Sequence, residues 1–287
     1  VPDVRAGFHI SIAQGLSTVP ELARQRGCRT IQIFSRPPRN WRLNGLVDDE
    51  VQAFRRRIAA GGIAPVCIHT QYLLNLASPD RTLRRRSVRS LALEMERACI
   101  LGAEYVITHL GSAKGRRRTA ARRRVVRSIV EALADVASGP MLLLENSAGA
   151  GDFIGGDFAE VGGIVRPCGE AGVEVGMCLD VAHAFAAGYD LTTDEGLGDS
   201  LAQLDAEIGI DRLRVIHFND SRTPLGSRVD RHWHIGKGEM GREGLARIAN
   251  HPKLSELPLI METPEMDLKH DRMNMRAFKR LRSRGLR

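Results

Sequence analysis

The chain has 287 residues, 43% of them hydrophobic, and no apolar run approaches the roughly 18 to 20 residues that cross a bilayer, which excludes a helical membrane protein. Five cysteines at 28, 67, 99, 168 and 178, without CxxC pairs, exclude a disulfide framework, and no secretory signal is visible, so a cytoplasmic protein is expected, nucleoid-associated in a prokaryote. The net charge of +8 fits a polyanionic partner such as nucleic acid, but 37 of the 42 basic residues are Arg, a skew that GC-rich coding alone can produce, so placement matters more than total.

Taken in order, short apolar runs alternate with helical segments. A first strand closes at His9 and leads to a helix over 17–27 that has hydroxyl residues for a cap, Pro20 in its first turn and Gly27 as a stop. The second strand, 30–34, is followed by an unusual loop, 35–42, holding Pro37, Pro38, Arg39 and Trp41. A helix over 49–60 feeds the third strand, which closes at His69, and a helix over 78–101 feeds the fourth, which closes at His109. An arginine-rich helix over 116–136 precedes the fifth strand, closing at Glu145, and a helix over 157–168 precedes the sixth, closing at Asp180, where the chain is expected to empty into a loop carrying His183. A helix over 193–208 and a seventh strand closing at His217 follow. A long polar loop, 219–241, and a short helix then lead to the eighth strand, closing at Glu262, and a basic helix over 270–282 comes last.

Eight strand–helix units without a composition break predict a parallel sheet closed into one (β/α)₈ TIM barrel spanning residues 1–287, with the active site at the C-terminal face of the strands. A doubly wound open sheet competes, but it would not gather the ends of the first, middle and last strands so well. An Asp after a strand is often only a helix N-cap, and a lone His is most often a hydrogen-bonded core residue. Repetition overrides both readings. His69, His109, Glu145, Asp180, His217 and Glu262 converge as a ring of imidazole and carboxylate, a donor set suited to Zn²⁺, Mn²⁺ or Fe²⁺. His183 joins them, and in the extended run 228–234 Asp230 points to the same side as His232 and His234, between which spacing does not choose. Six to nine ligands are too many for one ion, so two or three are expected, and clustered ions suit the in-line displacement of phosphoester hydrolysis.

The runs Gly7-Phe8-His9-Ile10-Ser11, His69-Thr70-Gln71-Tyr72-Leu73-Leu74-Asn75-Leu76, Glu145-Asn146-Ser147-Ala148-Gly149, 179–190, His217-Phe218-Asn219-Asp220-Ser221 and 226–232 together resemble the signature segments of the endonuclease IV family of apurinic/apyrimidinic endonucleases, over essentially the whole chain. The resemblance implies a trinuclear zinc site that cleaves duplex DNA on the 5′ side of an abasic sugar and leaves a 3′-hydroxyl, as base excision repair requires. By position, His69, His109 and Glu145 would hold the first zinc, Glu145, Asp180, His217 and Glu262 the second, and His183, Asp230 and His232 the third, which selects His232 over His234. Water activated at the first two ions, oriented by Glu262, would be the attacking species, with no side-chain nucleophile. Arg39, Trp41, Tyr72 and Leu73 match positions that press into DNA and hold the abasic nucleotide out of the stack. Leu110 stands where proline is usual, and Pro37-Pro38 sits in the damage-reading loop; neither departure removes a ligand. A monomer is expected.

Two other readings compete. A sugar isomerase or epimerase of the xylose isomerase-like barrels needs only Glu145, Asp180, His217 and Glu262, leaving His183, Asp230 and His232 without a task. A catalytically idle damaged-DNA binder has no reason to keep all nine ligands.

Overall fold

Gly7 sits where two strands touch: a Cβ there would lie 1.6 Å from the carbonyl oxygen of Thr30, so only glycine lets the first strand reach its neighbour. From this contact the sheet builds around. In the computed structural model, which describes residues 5–136 and 139–284, the chain begins with β1 (Ala6–His9), α1 (Val19–Arg26), β2 (Thr30–Phe34), α2 (Asp48–Ala60), β3 (Val66–His69) and α3 (Arg81–Leu101). It continues with β4 (Tyr105–His109), α4 (Arg118–Leu133), β5 (Met141–Glu145), α5 (Phe158–Glu170) and β6 (Val175–Asp180). Then come α6 (Val181–Ala187), α7 (Asp194–Glu207), β7 (Leu213–His217), β8 (Asp220–Ser221) and β9 (His232–Trp233). The last elements are α8 (Gly241–Asn250), β10 (Leu259–Met261) and α9 (Leu268–Arg284). Eight strands close a parallel barrel in the order β1-β10-β7-β6-β5-β4-β3-β2, while β8 and β9 form a separate antiparallel pair. The expected (β/α)₈ architecture is the one observed.

Side chains alternate along each strand, and this period of two positions the site. Cys67, Ile107, Leu143, Cys178, Val215 and Ile260 point inward and form a dry plug in the barrel centre, each fully buried. Two residues further along, the next inward positions are His69, His109, Glu145, Asp180, His217 and Glu262. The plug is thus the floor on which the polar ring stands. The alternate outward residues, such as Ile68, Val106 and Leu144, pack beneath the helices in the larger outer core.

Two segments differ from the sequence expectation. The chain after Asp180 is not a loop but the seven-residue helix α6, because the Asp180 carboxylate accepts from the His183 amide at 2.7 Å and caps it, and Gly188 ends it at φ 114°. Two turns of small apolar residues are too short to display a helical period. The long loop over 219–241 is likewise ordered by the β8–β9 pair, with Ser221 opposite His232, and by Asp220, whose carboxylate accepts from the amides of Gly238 and Met240 at 2.8 and 3.1 Å.

Candidate metal centre

Parallel pairing sets neighbouring strand ends side by side: His109 is opposite Glu145, and Asp180 is opposite His217. Three groups result whose ligand atoms lie within 4.8 Å of one another: His69, His109 and Glu145; Glu145, Asp180, His217 and Glu262; and Asp180, His183 and His232. Glu145 belongs to the first two, with Oε2 3.1 Å from His69 Nε2 and 3.3 Å from His109 Nδ1, and Oε1 3.0 Å from His217 Nδ1. Asp230 completes the third group from the 219–241 segment, 3.3 Å from His183 Nε2 and 3.6 Å from His232 Nε2. His234, by contrast, faces Glu265 at 3.0 Å and Asn274 at 3.2 Å, away from the cluster.

The histidine tautomers follow from what lies behind each ring, since a carbonyl oxygen can only accept. His69 donates from Nδ1 to the Thr70 carbonyl at 2.7 Å, His183 from Nδ1 to the Asn146 carbonyl at 3.0 Å, and His232 from Nδ1 to the Glu262 carbonyl at 3.2 Å. In all three, Nε2 therefore faces the carboxylates, able to offer a lone pair to a cation or, without one, a proton to a carboxylate oxygen. His217 is turned the other way: Nε2 donates to Gln32 Oε1 at 2.8 Å and Nδ1 faces the cluster. The Gln32 amide is oriented in turn by donating to Glu262 Oε1 at 2.6 Å. His232 Nε2 is buried within 3.6 Å of two carboxylates and makes no well-formed hydrogen bond, so it is open to a cation. Nitrogen and oxygen donors with fixed tautomers and no thiolate fit divalent transition-metal ions in each group.

The electrostatics agree. Burial works to raise the Glu145 carboxyl, but His109, His217 and His69 outweigh it and hold it well below the usual carboxylate range. Burial also works to lower His183 and His232, and there the carboxylates win: Asp180, Asp230 and Glu145 push His183 up to about 10, and Asp180 and Asp230 push His232 up to about 9. Where no cation neutralises the carboxylates, protons on these imidazoles do so.

The ring opens into a cavity of about 570 Å³ whose wall includes Phe34, Arg39, Tyr72, Asp230 and Met266. Asp180 and His217 are fully buried at its base, whereas the side chains of His109 and Asp230 are 32% and 56% exposed, so a ligand enters from their side. Of the four rim residues expected from sequence, Arg39 and Tyr72 line this cavity. Leu73 is half-buried beside it, and Trp41 lies partly buried against the core, with the Arg86 guanidinium 4.5 Å above its ring. Leu110, in place of the usual proline, is buried.

Sequence reasoning passed over the groups that hold the ligands. Gln32 touches His9, His217 and Glu262; Asn146 exchanges hydrogen bonds with the Asp180 backbone at 2.8 and 2.9 Å; Asn219 donates to Asp180 Oδ2 at 3.0 Å and accepts from the Glu262 amide at 2.7 Å. A glutamine in the middle of an apolar strand was the available signal, because a fully buried amide needs partners.

Comparison with known proteins adds an independent line. A family model of xylose isomerase-like TIM barrels matches residues 20–283. Proteins named probable endonuclease 4 from Halothermothrix orenii and Methanoculleus marisnigri are 41% and 43% identical, over 91% and 97% of this chain and 94% and 99% of theirs. The crystal structure of endonuclease IV from Thermus thermophilus superposes with a TM-score of 0.86 at 40% identity, covering 98% of this chain and 99% of that one. A D-tagatose 3-epimerase-like protein superposes at 0.71 with 17% identity over 98% of this chain and 100% of its own, a likeness of fold alone.

Proposed function

This chain belongs to the endonuclease 4 family within the xylose isomerase-like TIM barrels, and from that premise we propose that it cleaves duplex DNA at abasic sites, on the 5′ side of the lesion, leaving a 3′-hydroxyl and a 5′-deoxyribose phosphate. As an endonuclease it is a phosphodiester hydrolase, and its clustered His, Asp and Glu groups are those of a metal-dependent one. Zinc at three sites is the proposed content. The observation that carries the reading is the third ligand group: His183, Asp230 and His232 stand beside a four-ligand group that a one-ion sugar site would already satisfy. No observation here calls for the sugar reading.

Bound divalent ions supply a water of lowered pKa and charge neutralisation at both the attacking and the leaving oxygen of a phosphodiester. The chain's own residues do the rest. Glu145 joins two ligand groups and fixes their separation, while Glu262, held by Gln32 and by the Asn219-anchored amide, directs a carboxylate oxygen into the cavity where it orients the attacking water. His109 and Asp230, on the exposed side, meet the scissile phosphate first. Arg39 and Tyr72, which also line the cavity, hold the abasic nucleotide out of the stack.

Surface chemistry supports a duplex substrate. Of the large apolar side chains that are exposed among the described residues, Leu43, Val47, Tyr72, Phe153, Leu225, Val229 and Met266 all stand on segments that follow barrel strands, on the cavity side; Ile100, near the end of α3, is the exception. Apolar wedges around a cavity suit insertion between base steps, which a soluble sugar does not require.

The test is a nicking assay on a duplex with one stable abasic analogue, beside an intact duplex. A single metal-dependent cut 5′ to the lesion is expected. Metal-replete, folded protein that leaves the abasic strand whole would overturn the reading.

A further inference from the structure

Beside the cavity, α3 and α4 begin without an acidic residue in the first turn, whereas α1, α2, α5, α7 and α8 each carry at least one. Residues 81–93 contain five arginines and residues 111–130 seven, and neither stretch has an Asp or Glu. Positive side chains at the positive end of a helix dipole oppose stability, so the fold itself does not call for them. The two helices pack against each other, and at the edge they share Arg84 of α3, Arg116 just before α4, and Arg127 of α4 lie close enough to Arg124 of α4 to repel it, while Arg122 and Arg123 border the groove toward α5.

Counting the available counter-charges leaves most of this edge unanswered. Arg118 is paired with Glu160 at 2.5 Å, and the Asp80 carboxylate is occupied in capping α3 through the Thr82 and Leu83 amides. Arg84 and Arg124 donate only to carbonyls, those of Ser78 and Ala77, each at 2.7 Å. The second terminal nitrogen of Arg124, Nη2, is buried with no partner. Burial, and then Arg84, Arg127 and Arg116, work against the charge of Arg124. Arg85, Arg89, Arg123 and Arg127 are exposed and form no ion pair among the described residues. A desolvated guanidinium among like charges marks a surface whose counter-charge comes from outside the chain. The edge is also continuous with the cavity: Arg86 of α3 covers Trp41, whose loop carries Arg39 into the cavity wall.

We propose that the arginine edge shared by α3 and α4 is a second phosphate-binding track, along which duplex DNA flanking the lesion lies as it leaves the cavity. The proposal rests on the nuclease reading above and extends it to DNA the metal centre does not touch. Phosphate contacts of this kind carry no sequence information, add affinity in proportion to the counterions released, and slow dissociation from undamaged flanks.

The experiment compares three proteins: the wild type, a track variant (Arg85→Gln, Arg89→Gln, Arg127→Gln) and a control variant that loses the same charge on exposed positions of α2 and α9 (Arg56→Gln, Arg276→Gln, Lys279→Gln). Binding to an intact duplex is measured across salt concentrations, so the readout is independent of cleavage. Each phosphate contact contributes about 0.9 to the slope of log affinity against log salt. The track variant is expected to lose about 2 to 3 from that slope and roughly tenfold or more in affinity at about 50 mM salt. The control should keep the wild-type slope. An unchanged slope in the track variant, or an equal loss in the control, would overturn the track while leaving the nuclease reading intact. Wild-type protein that binds intact duplex but does not nick the abasic one overturns the nuclease reading alone, and the same slopes still judge the track. Wild-type protein that binds no DNA overturns both.

Discussion

Glu145 is the residue on which the proposed chemistry turns, because its two oxygens serve different ligand groups: Oε2 faces His69 and His109, and Oε1 faces His217. Replacing one oxygen by an amide nitrogen keeps the shape but puts N–H where a ligand lone pair is needed. Glu145→Gln is therefore expected to lower single-turnover nicking by about a hundredfold to a thousandfold, the scale of losing a preorganised electrostatic group, while abasic duplex stays bound through the rim. Binding and nicking measured on the same preparation check this, and full activity would refute the bridging role. Gln32 acts one step back, holding the His217 tautomer and one oxygen of Glu262. Gln32→Leu fills the same space and removes both contacts, so the protein should lose metal about 10- to 100-fold more readily to a chelator. Unchanged retention would mean that His217 needs no such support. Glu145 was legible in the sequence because it ends an apolar run at the same phase as its neighbours; Gln32 was not, because its role exists only through strands 185 and 230 residues away in the chain.

Among the elements, the loop between β2 and α2 shows how a rim segment is kept in place. Pro37 and Pro38 have no N–H, so the loop cannot close on its own backbone there and relies on side chains from elsewhere. Arg36 donates to Glu94 of α3 at 2.5 Å and also reaches the Ser90 hydroxyl, Ser35 donates to Glu94 at 2.5 Å, and Arg97 donates to the Ser35 carbonyl at 2.5 Å. Gln71, next to Tyr72, donates to the carbonyls of Pro37 at 2.6 Å and of Asn40. The Gln71 amide thus ties the loop that carries Arg39 to the loop that carries Tyr72. Gln71→Ala removes the tie and should weaken binding of an abasic duplex severalfold while costing about 1 kcal/mol of stability, the net value of a hydrogen bond whose carbonyl stays within reach of water. Parallel binding and denaturant titrations decide it; a stability loss with unchanged abasic affinity would make the tie purely structural. Tyr72→Ala, which deletes an exposed side chain, is expected to weaken abasic duplex more than intact duplex, and equal losses would mean that the ring only covers Phe34. The loop's membership in the rim could be read from its position after a strand, but not the cover over Trp41, since Arg86 lies 45 residues further on and nothing in local spacing links them.

At the scale of the whole molecule, the barrel was legible because eight runs share one rhythm, and the convergence of the strand-end His, Asp and Glu residues was legible because a strand's alternation fixes which end residue faces inward. What escaped was irregular: α6, too short to show a period, and the β8–β9 pair, which brings His232 into the third group by a pairing that no repeat announces. The assembled site also has a cost for the fold, since Glu145, Asp180 and Glu262 are gathered in one place and each burial opposes their charge. Bound cations offset that cost, so the protein as purified is expected to hold close to three transition-metal ions, and a ligand present at about a thousandfold over its dissociation constant adds roughly 4 kcal/mol. Stripping the metals shifts the task to His183 and His232. Their folded values, about 10 and about 9, lie above the ordinary 6.5, so the stability they lend is complete below about pH 6.5 and is lost as pH rises through 9 and 10. Metal-stripped protein should therefore melt at a steadily lower temperature between pH 7 and pH 10, and metal-replete protein, whose imidazoles already carry a cation in place of the proton, should not follow it over the same window. Melting curves of both forms at matched pH, with metal content assayed on the same samples, test the two halves together. Parallel decline of both forms would mean that these imidazoles are not ligands, and a content near one ion per chain would sink the three-group assignment even if the pH behaviour held.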